Sequence, residues 1–578
     1  MSDTPESSAS LGDSKVQSDR KLLEEARANG KLLTAFVRLS GPGWLQAAIT
    51  LGGGSLGGAL FLGVLGGTSL LWLQLVAIIM GVIMLSAISY VTLSTGRRPF
   101  EAINSEINPA LGWGWLIATA LANIIWCMPQ FSLCYDALDK NLAPLFREGG
   151  LGNDVQTKYW VTRCLFIAAG IVVLLNTKQG RAAKLFDLVL KAMVGLIVLC
   201  FFGVVILLLS KGSLDFQTVF SGFIPKLNQL NQPTGQMAEV VASLGEYQQY
   251  WTDKLVGQQR QVMIAAAATA VGINMTFLLP YSMLARGWDK PFRGLSRFDL
   301  CTGMAIPYVL VTSCVVIAAA ASLHNTIDDS LASNELSVMQ ESEYWGGVEG
   351  ILLDRIDHQL GDAAETTSKE EKLEMVAALD VKEKTVALSL VKRNAFQLSK
   401  TLEPLLGEEM SNLVFGIGVL GMGFSTIIIL MLINGYVFQE MTGSPNGKVA
   451  FIIGCLVAGI AGEGWIFLWS GDARVWLVII ASTFGSMLLP IAYVTFFLMM
   501  NSKRILGDEK PKGFSMVVWN MLMAFAVAGS IAAAYYAIEG KAKDADPEIF
   551  YFIVGLAVSY GIIVVAGFFL KSKPKTAE

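Results

Sequence analysis

The chain has very few of the residues on which soluble enzymes and metal sites depend. Only two histidines, His324 and His358, occur in 578 residues, and charged residues make up 16% of the chain. The seven cysteines lie in apolar stretches and form no CxxC pair, so neither a disulfide framework nor a zinc site is predicted. The sequence has no GxxxxGK[ST] motif, which argues against ATP-driven transport by this chain. These absences predict a protein that is not an enzyme, has no cofactor and binds no nucleic acid.

Apolar residues dominate instead. They make up 53% of the chain, the mean hydropathy is +0.53, and apolar runs long enough to cross a bilayer recur throughout. We therefore predict an all-α integral membrane protein whose first partner is the lipid bilayer. About twelve spans are predicted, at 41–66, 68–94, 112–136, 159–176, 185–210, 259–285, 299–323, 410–438, 448–470, 474–500, 513–537 and 548–570.

The distribution of charge predicts how these spans are oriented. Lysine and arginine are concentrated in the connections after spans 2, 4, 6 and 10 and in the tail 571–578. Because positive residues remain on the cytoplasmic side, both termini are predicted to be cytoplasmic in an inner or plasma membrane. The polar residues 1–35 are predicted to form a disordered cytoplasmic tail. Segments 36–323 and 410–570 are predicted to hold helices 1–7 and helices 8–12.

A long polar insertion, 324–409, separates these two membrane segments on the predicted outer side. It carries 18 acidic and 8 basic residues, and 366–405 has the apolar spacing of amphipathic helices. We predict a helical, acidic, extracytoplasmic cap. The acidic excess fits either a vestibule that attracts cations or an ordinary solvated surface, and the second is favoured. A membrane sensor whose outer part binds a partner is a further hypothesis.

Glycines interrupt the first predicted span at its middle. Gly52, Gly53 and Gly54 precede Ser55 within an otherwise apolar stretch, and each glycine weakens a helix by roughly 1 kcal/mol relative to alanine. The pattern predicts an unwound turn at membrane depth, which is typical of a transporter's substrate site. A glycine-rich face for close helix packing is the alternative.

The sixth predicted span carries a second set of helix-weakening residues. Gly272, Asn274 and Pro280 lie within nine residues of one another, and proline removes a backbone hydrogen bond. Two broken helices five spans apart predict an inverted five-plus-five repeat with the substrate site between the breaks. The predicted site residues are Gly52, Gly53, Gly54, Ser55, Gly272, Asn274, Met275 and Thr276, with Gln46, Asn123 and Gln130 as possible polar lining.

Several short stretches of the sequence carry a resemblance to a known family. They are Gly41-Pro42-Gly43-Trp44, Gly96-Arg97 with Phe100-Glu101, the span 8 stretch 412–435, Leu489-Pro490-Ile491-Ala492 and Asn501-Ser502-Lys503-Arg504. With these stretches, the sequence resembles the NRAMP family of proton-coupled divalent-metal transporters over most of 35–505. The resemblance implies the inverted-repeat fold already predicted and transport of a divalent metal by alternating access.

The ligand residues of that family do not carry over to this chain. The resemblance places the family's helix 1 Asp and Asn at Gly52 and Ser55, and its helix 6 Met and His at Thr276 and Leu278. The remaining positions are the acidic pair of helix 3 and the glutamine of helix 10, which correspond to Ala120, Asn123 and Leu488. Because Ala120 and Asn123 cannot titrate, no proton coupling through helix 3 is predicted.

Two interpretations of the cargo therefore stay open. One is a divalent metal ion held with altered selectivity, although no particular metal is assigned. The other is a small organic solute, an amino acid or a carboxylate, held by backbone amides at the helix 1 break.

Three acidic residues near the membrane carry expectations of their own. Asp136 and Glu440 lie close to span ends and are expected to face water. Glu463 lies within span 9, where a carboxylate is costly. It is either functional or, as favoured, a structural partner of Arg474.

Overall fold

The protein is helical throughout the part of the chain that the computed structural model describes. Within this part no β-strand occurs, and helices satisfy their own backbone hydrogen bonds in lipid. The predicted all-α fold is therefore confirmed. The described residues are 6–40, 46, 49–176, 181–444, 447–469, 471, 473–544 and 547–569.

Helices of eight residues or more form the framework. They are α1 (Glu6–Ala28), α2 (Leu32–Leu39), α3 (Gly53–Gly66), α4 (Leu71–Thr95), α5 (Pro109–Asp136), α6 (Val155–Asn176), α7 (Arg181–Ser210), α8 (Gln248–Ala270), α9 (Ile273–Ala285), α10 (Arg293–Leu300), α11 (Ile306–Leu323), α12 (Trp345–Leu360), α13 (Lys369–Ala377), α14 (Val381–Ser389), α15 (Glu408–Met441), α16 (Lys448–Gly462), α17 (Leu477–Asn501), α18 (Gly513–Asp544) and α19 (Pro547–Phe569). Shorter helices are Pro99–Ala102, Phe216–Ser221, Gln236–Ala242, Asp329–Ala332, Leu336–Gln340, Ala395–Ser399, Glu403–Leu406, Trp465–Leu468 and Lys503–Leu506.

Helices α3 to α9, α11 and α15 to α19 lie within or overlap the predicted spans. Residues 41–45 and 47–48 of span 1 and residue 470 of span 9 lie outside the described residues. By length and hydropathy, nine helical stretches of the described chain could cross a membrane. One of them, Gly53–Thr95, extends over most of predicted span 1 and over predicted span 2. Two shorter apolar stretches, Gly195–Ser210 and Val554–Phe569, lie in predicted spans 5 and 12. The number of twelve crossings stays a prediction.

The N-terminal segment differs from the disordered tail that its composition predicts. From Glu6 onward it forms α1 and α2. Arg20 on α1 pairs with Asp289 at 2.7 Å, and the ring of Phe36 on α2 lies 5.5 Å from that of Phe298. Contacts with the connection after span 6 thus offset the ordering entropy of this polar segment.

The insertion packs directly onto the membrane helices. Residues 324–407 form short helices, and Trp251 on α8 donates its indole N–H to Glu383 at 2.8 Å. Burial lowers the pKa of His324, which keeps the ring neutral. Its Nδ1 lies 2.9 Å from the Val64 carbonyl, to which it donates because a carbonyl only accepts. The insertion is therefore fastened to α8 and α3.

A buried ion cluster joins the same insertion to span 3. Arg474 is fully buried and donates to Asp136 at 3.1 Å and to Asp139 at 2.7 Å. The second oxygen of Asp136 accepts from the Ala395 backbone N–H at 2.8 Å. The expectation that Asp136 faces water is thus wrong, because Arg474 and the insertion replace its solvent shell.

The other two acidic residues also differ from expectation. Glu463 pairs with Arg163 at 2.7 Å, so its structural partner is on α6, and Arg474 belongs to the cluster with Asp136. Glu440 is mostly buried and pairs with Arg98 at 3.0 Å. Each carboxylate is therefore paired, as charge at membrane depth requires.

Removing the arginine of the cluster should strongly destabilise the protein. Arg474→Met leaves two buried carboxylates without their main counter-charge, and we expect the free energy of unfolding to fall by about 3–5 kcal/mol. Lys369→Ala, which breaks an exposed 2.8 Å pair with Glu349, should cost less than about 1 kcal/mol. Denaturation in mixed micelles measures both, and equal losses would contradict a stabilising role for the cluster.

Candidate functional site

The first predicted break is present. The chain is helical at Ile49 and Thr50, turns at Leu51, and is extended at Gly52, with φ −79° and ψ −177°, before α3 begins at Gly53. The Gly52 N–H donates to the Ile49 carbonyl at 2.9 Å. The consecutive glycines thus interrupt the helix where the local sequence predicts.

The second break is also present, although proline does not cause it. Helix α8 ends at Ala270, Val271 and Gly272 are extended, and α9 begins at Ile273. Pro280 lies inside α9, so the prediction that it contributes to the interruption is wrong. One missing hydrogen bond within α9 does not stop that helix, whereas the unwound turn lies at Val271 and Gly272.

A small cavity lies between the two breaks. Its volume is about 20 Å³, which is enough for one water molecule or a bare ion of similar size. Six predicted residues line it, namely Gly54, Ser55, Gln130, Gly272, Asn274 and Met275. Six that the sequence analysis did not name also line it, namely Ile49, Trp126, Ala268, Thr269, Thr426 and Leu430.

The phase of α9 separates two neighbouring predicted residues. Met275 lines the cavity, and its sulfur lies 3.6 Å from the Thr50 hydroxyl, which donates to it. Thr276 instead accepts from the indole N–H of Trp115 at 3.0 Å. Because one residue turns a helix by about 100°, the thioether and the hydroxyl face different neighbours, and a soft ligand reaches the cavity after all.

Three buried amides around the breaks are unsatisfied. Gln46, Asn123 and Gln130 are fully buried, and neither polar atom of any of these side chains has a hydrogen-bond partner among the described residues. Leaving such groups unpaired costs about 1–3 kcal/mol each. Of the three, Gln130 lines the cavity, so its amide is available to a bound species.

The glycines of the first break make room for these side chains. A Cβ on Gly53 would lie 2.6 Å from Leu133 and 2.9 Å from the Gln130 amide oxygen. A Cβ on Gly52 would lie 2.5 Å from the Thr426 hydroxyl. Thr426 on α15 therefore occupies the space that a side chain at position 52 would need. The polar pair Ser425-Thr426 within an apolar span was the sequence signal for it.

The remaining hydrogen bonds hold the breaks in place. Ser55 donates to the Thr269 carbonyl at 3.3 Å, and the Asn274 side chain accepts from the Met275 N–H at 2.9 Å. No charged side chain lines the cavity, and no group of three His, Cys, Asp or Glu residues suited to a metal occurs in the described ranges. The site offers amide, hydroxyl, carbonyl and thioether groups, all of them neutral.

Comparisons with known proteins follow the same fold. The sequence profile of the Nramp family, described as natural resistance-associated macrophage protein-like, matches residues 43–341 and 375–538. No curated protein matches the chain at a significant level. Among solved structures, a manganese transporter from Eremococcus coleocola is similar in two point mutants and in a complex with an aromatic bis-isothiourea substituted compound. The TM-scores are 0.57, 0.58 and 0.57 at 12%, 12% and 13% identity, over 93% of this chain and 94% of that one.

A multi-pass helical bundle with two broken helices that meet at a central cavity has the architecture of a membrane transporter. The solved structures share that architecture over nearly the whole chain. The family match extends over most of the sequence, and the protein belongs to the Nramp family.

Proposed function

We propose that the protein is a secondary transporter that moves a small metal cation across a cell membrane by alternating access through the cavity between the breaks. Family membership and the manganese transporters of similar fold support a metal ion as the cargo. The observation that carries the proposal is the cavity of about 20 Å³, bounded by two helix breaks and the unpaired amide of Gln130.

The ligand set implies altered selectivity. A carboxylate offsets much of the charge of a divalent ion, and hard divalent ions depend on such oxygen ligands. This cavity offers the neutral groups of Gln130 and Thr426 together with the thioether of Met275. Thioethers favour soft ions, so we expect weak binding of Mg²⁺ and preference for a soft or singly charged cation.

An organic solute is the second candidate. Helices α3 and α9 both begin in the cavity region after a glycine, and neither N-cap residue makes a side-chain capping bond. Helix N-termini attract carboxylates. The cavity volume favours the ion, because one water-sized space cannot hold an amino acid.

Flux into liposomes decides between these candidates. Purified protein is reconstituted and supplied with Mn²⁺, Cd²⁺, Cu⁺, Mg²⁺ and Na⁺, and separately with labelled amino acids and carboxylates. Saturable cation uptake that does not depend on an inward proton gradient is the expected result. Uptake of an organic solute with no cation flux would overturn the proposal, as would inert liposomes.

Gln130→Leu should raise stability and remove transport at the same time. Leucine removes an unpaired buried amide, and we expect the free energy of unfolding to rise by about 1–3 kcal/mol. Cation uptake should fall to background, because that amide faces the cavity. Thermal melting and liposome flux measure the two effects.

Gln259→Leu is the matched control. Gln259 is also fully buried, but its amide donates to the Gln232 carbonyl at 3.0 Å. This variant should lose stability and keep its uptake per folded molecule. If both variants shift stability in the same direction, Gln130 is not held unpaired for a ligand.

A further inference from the structure

A second and much larger cavity lies on the side of the molecule that carries the insertion. It has a volume of about 500 Å³ and is bounded by α8, α17 and α18. Along α8 it extends from Gln249 to Ile264, a rise of about 22 Å at 1.5 Å per residue. We call it the α8 groove; it begins before predicted span 6 and ends inside that span, at Ile264.

The α8 groove extends along α8 toward the central cavity. Gly257, Gln261 and Ile264 follow one face of α8 and line the groove, and Ala268, one turn further along that face, lines the central cavity. Ile264 and Thr483 of α17 are buried at the groove floor. One helical turn, about 5.4 Å, therefore separates the two cavities.

Polar side chains line the α8 groove both outside and inside the predicted membrane spans. Gln249, Thr252 and Asp253 lie toward its mouth, before predicted span 6 begins at 259. Gln261 and Thr483 line it within predicted spans 6 and 10, where polar groups face protein or water-filled cavities and not lipid. A Cβ added to Gly257 or to Gly540 on the opposite wall would meet no atom within 4 Å, so both glycines border open space.

The charges of the α8 groove are compatible with a cation. The Arg260 side chain lies against the wall of the groove. Its guanidinium donates to the Leu230 carbonyl at 3.1 Å and to the Asn231 side chain at 3.0 Å. Glu539 lies 4.0 Å from the same guanidinium. Asp253 and Arg260 are the charged residues among those that line the groove, so the charges of the lining cancel, and Glu539 adds one negative charge beside it.

The insertion covers other parts of the same side. It is bonded to α3 through His324 and Val64, and to the end of α5 through Ala395 and Asp136. The α8 groove lies beside these contacts and stays open.

We infer that the α8 groove is the outer access route, through which a hydrated cation approaches the central site, and that Ile264 and Thr483 form its closed gate. The inference rests on the proposed function. The groove holds an ion together with its water shell, whereas the central cavity admits about one water-sized species. The ion therefore loses its shell at the gate.

The test blocks the α8 groove with a bulky side chain placed on one or the other of its walls. Gly257→Trp and Gly540→Trp each place an indole in open space, and we expect at least a tenfold loss of cation uptake in liposomes with an unchanged melting temperature. Gly350→Trp is the control, since Gly350 also has nothing within 4 Å and lies on the exposed face of α12 in the insertion. Uptake that persists in both groove variants would overturn the inference.

A second measurement does not depend on flux. Gln261→Cys, which places a thiol in the groove within predicted span 6, is made in a background in which the exposed Cys164 and Cys301 are replaced by serine, and it is treated with a charged, membrane-impermeant thiol reagent. Rapid labelling is expected for a water-filled groove. An unreactive thiol means that lipid fills the groove and overturns the inference even if the wild type transports. If the wild type moves no cation, the proposed function fails, and this labelling still decides whether the groove is wet.

Discussion

Gly53→Ala is expected to abolish cation uptake although alanine is the better helix former. The added Cβ would lie 2.6 Å from Leu133 and 2.9 Å from the Gln130 amide oxygen, so the Gln130 side chain must leave its place beside the cavity. Uptake in liposomes should fall to background. The melting temperature should change little, because the helix gains roughly 1 kcal/mol while local packing is lost.

Gly57→Ala provides the matched control on the same helix, α3. The nearest atoms to a Cβ at Gly57 would belong to Val475 and Val478, at 3.6 Å or more, which is ordinary van der Waals contact. This variant should fold and transport like the wild type. If Gly53→Ala also transports normally, the glycines of the break serve helix packing, and the alternative raised by the sequence is correct.

A carboxylate restored at position 52 should convert the site into a tight divalent-ion site, but only if Thr426 is shortened. In Gly52→Asp alone the new Cβ lies 2.5 Å from the Thr426 hydroxyl, and the side chain has no room. In the double variant Gly52→Asp/Thr426→Ala that obstacle is gone, and the backbone must still move to relieve the contact of the new Cβ with the Ile49 carbonyl at 2.9 Å. We expect Mn²⁺ affinity to rise on the order of tenfold or more, since carboxylate oxygen offsets the ion's charge.

The double variant also has a predicted cost and a neutral control. An unpaired aspartate at the centre of a membrane helix costs about 2.5–3.5 kcal/mol, so the metal-free double variant should melt earlier and Mn²⁺ should restore its stability. Gly52→Asn/Thr426→Ala has the same shape without the charge. Equal Mn²⁺ affinity in the two double variants would show that charge at position 52 does not control selectivity.

Local sequence patterns predicted the elements of this fold well. Uninterrupted apolar runs located the helices, and Gly52 and Gly272 located the breaks, because hydropathy and glycine act over a few neighbouring residues. Pro280 was wrongly predicted to contribute to the second break, because α9 tolerates the loss of the one backbone hydrogen bond that proline removes. The polar composition of the N-terminal segment predicted disorder, whereas the structure has helices there. Contacts with residues far along the chain, such as Asp289, hold these helices in place.

The lining of the site was predicted only in part. Gln130 and Asn274 were named because they are polar within apolar spans. Thr426 and Trp126 were not named, as only the packing of α15 and α5 against α3 brings them to the cavity. Met275 was predicted as a site residue, whereas the resemblance placed the family's soft ligand at Thr276. The position at which α9 starts sets its phase, and the phase turns Met275 to the cavity.

The sequence by itself determined that this is a helical membrane protein with two interrupted helices, because lipid solubility and helix stability are local properties of the chain. The tertiary structure decided which groups meet at the interruptions, how Arg474 and the insertion bury Asp136, and where an open groove remains beside α8. Those outcomes depend on distances between residues far apart in sequence. Such distances follow from the packing of whole helices, which no local pattern encodes.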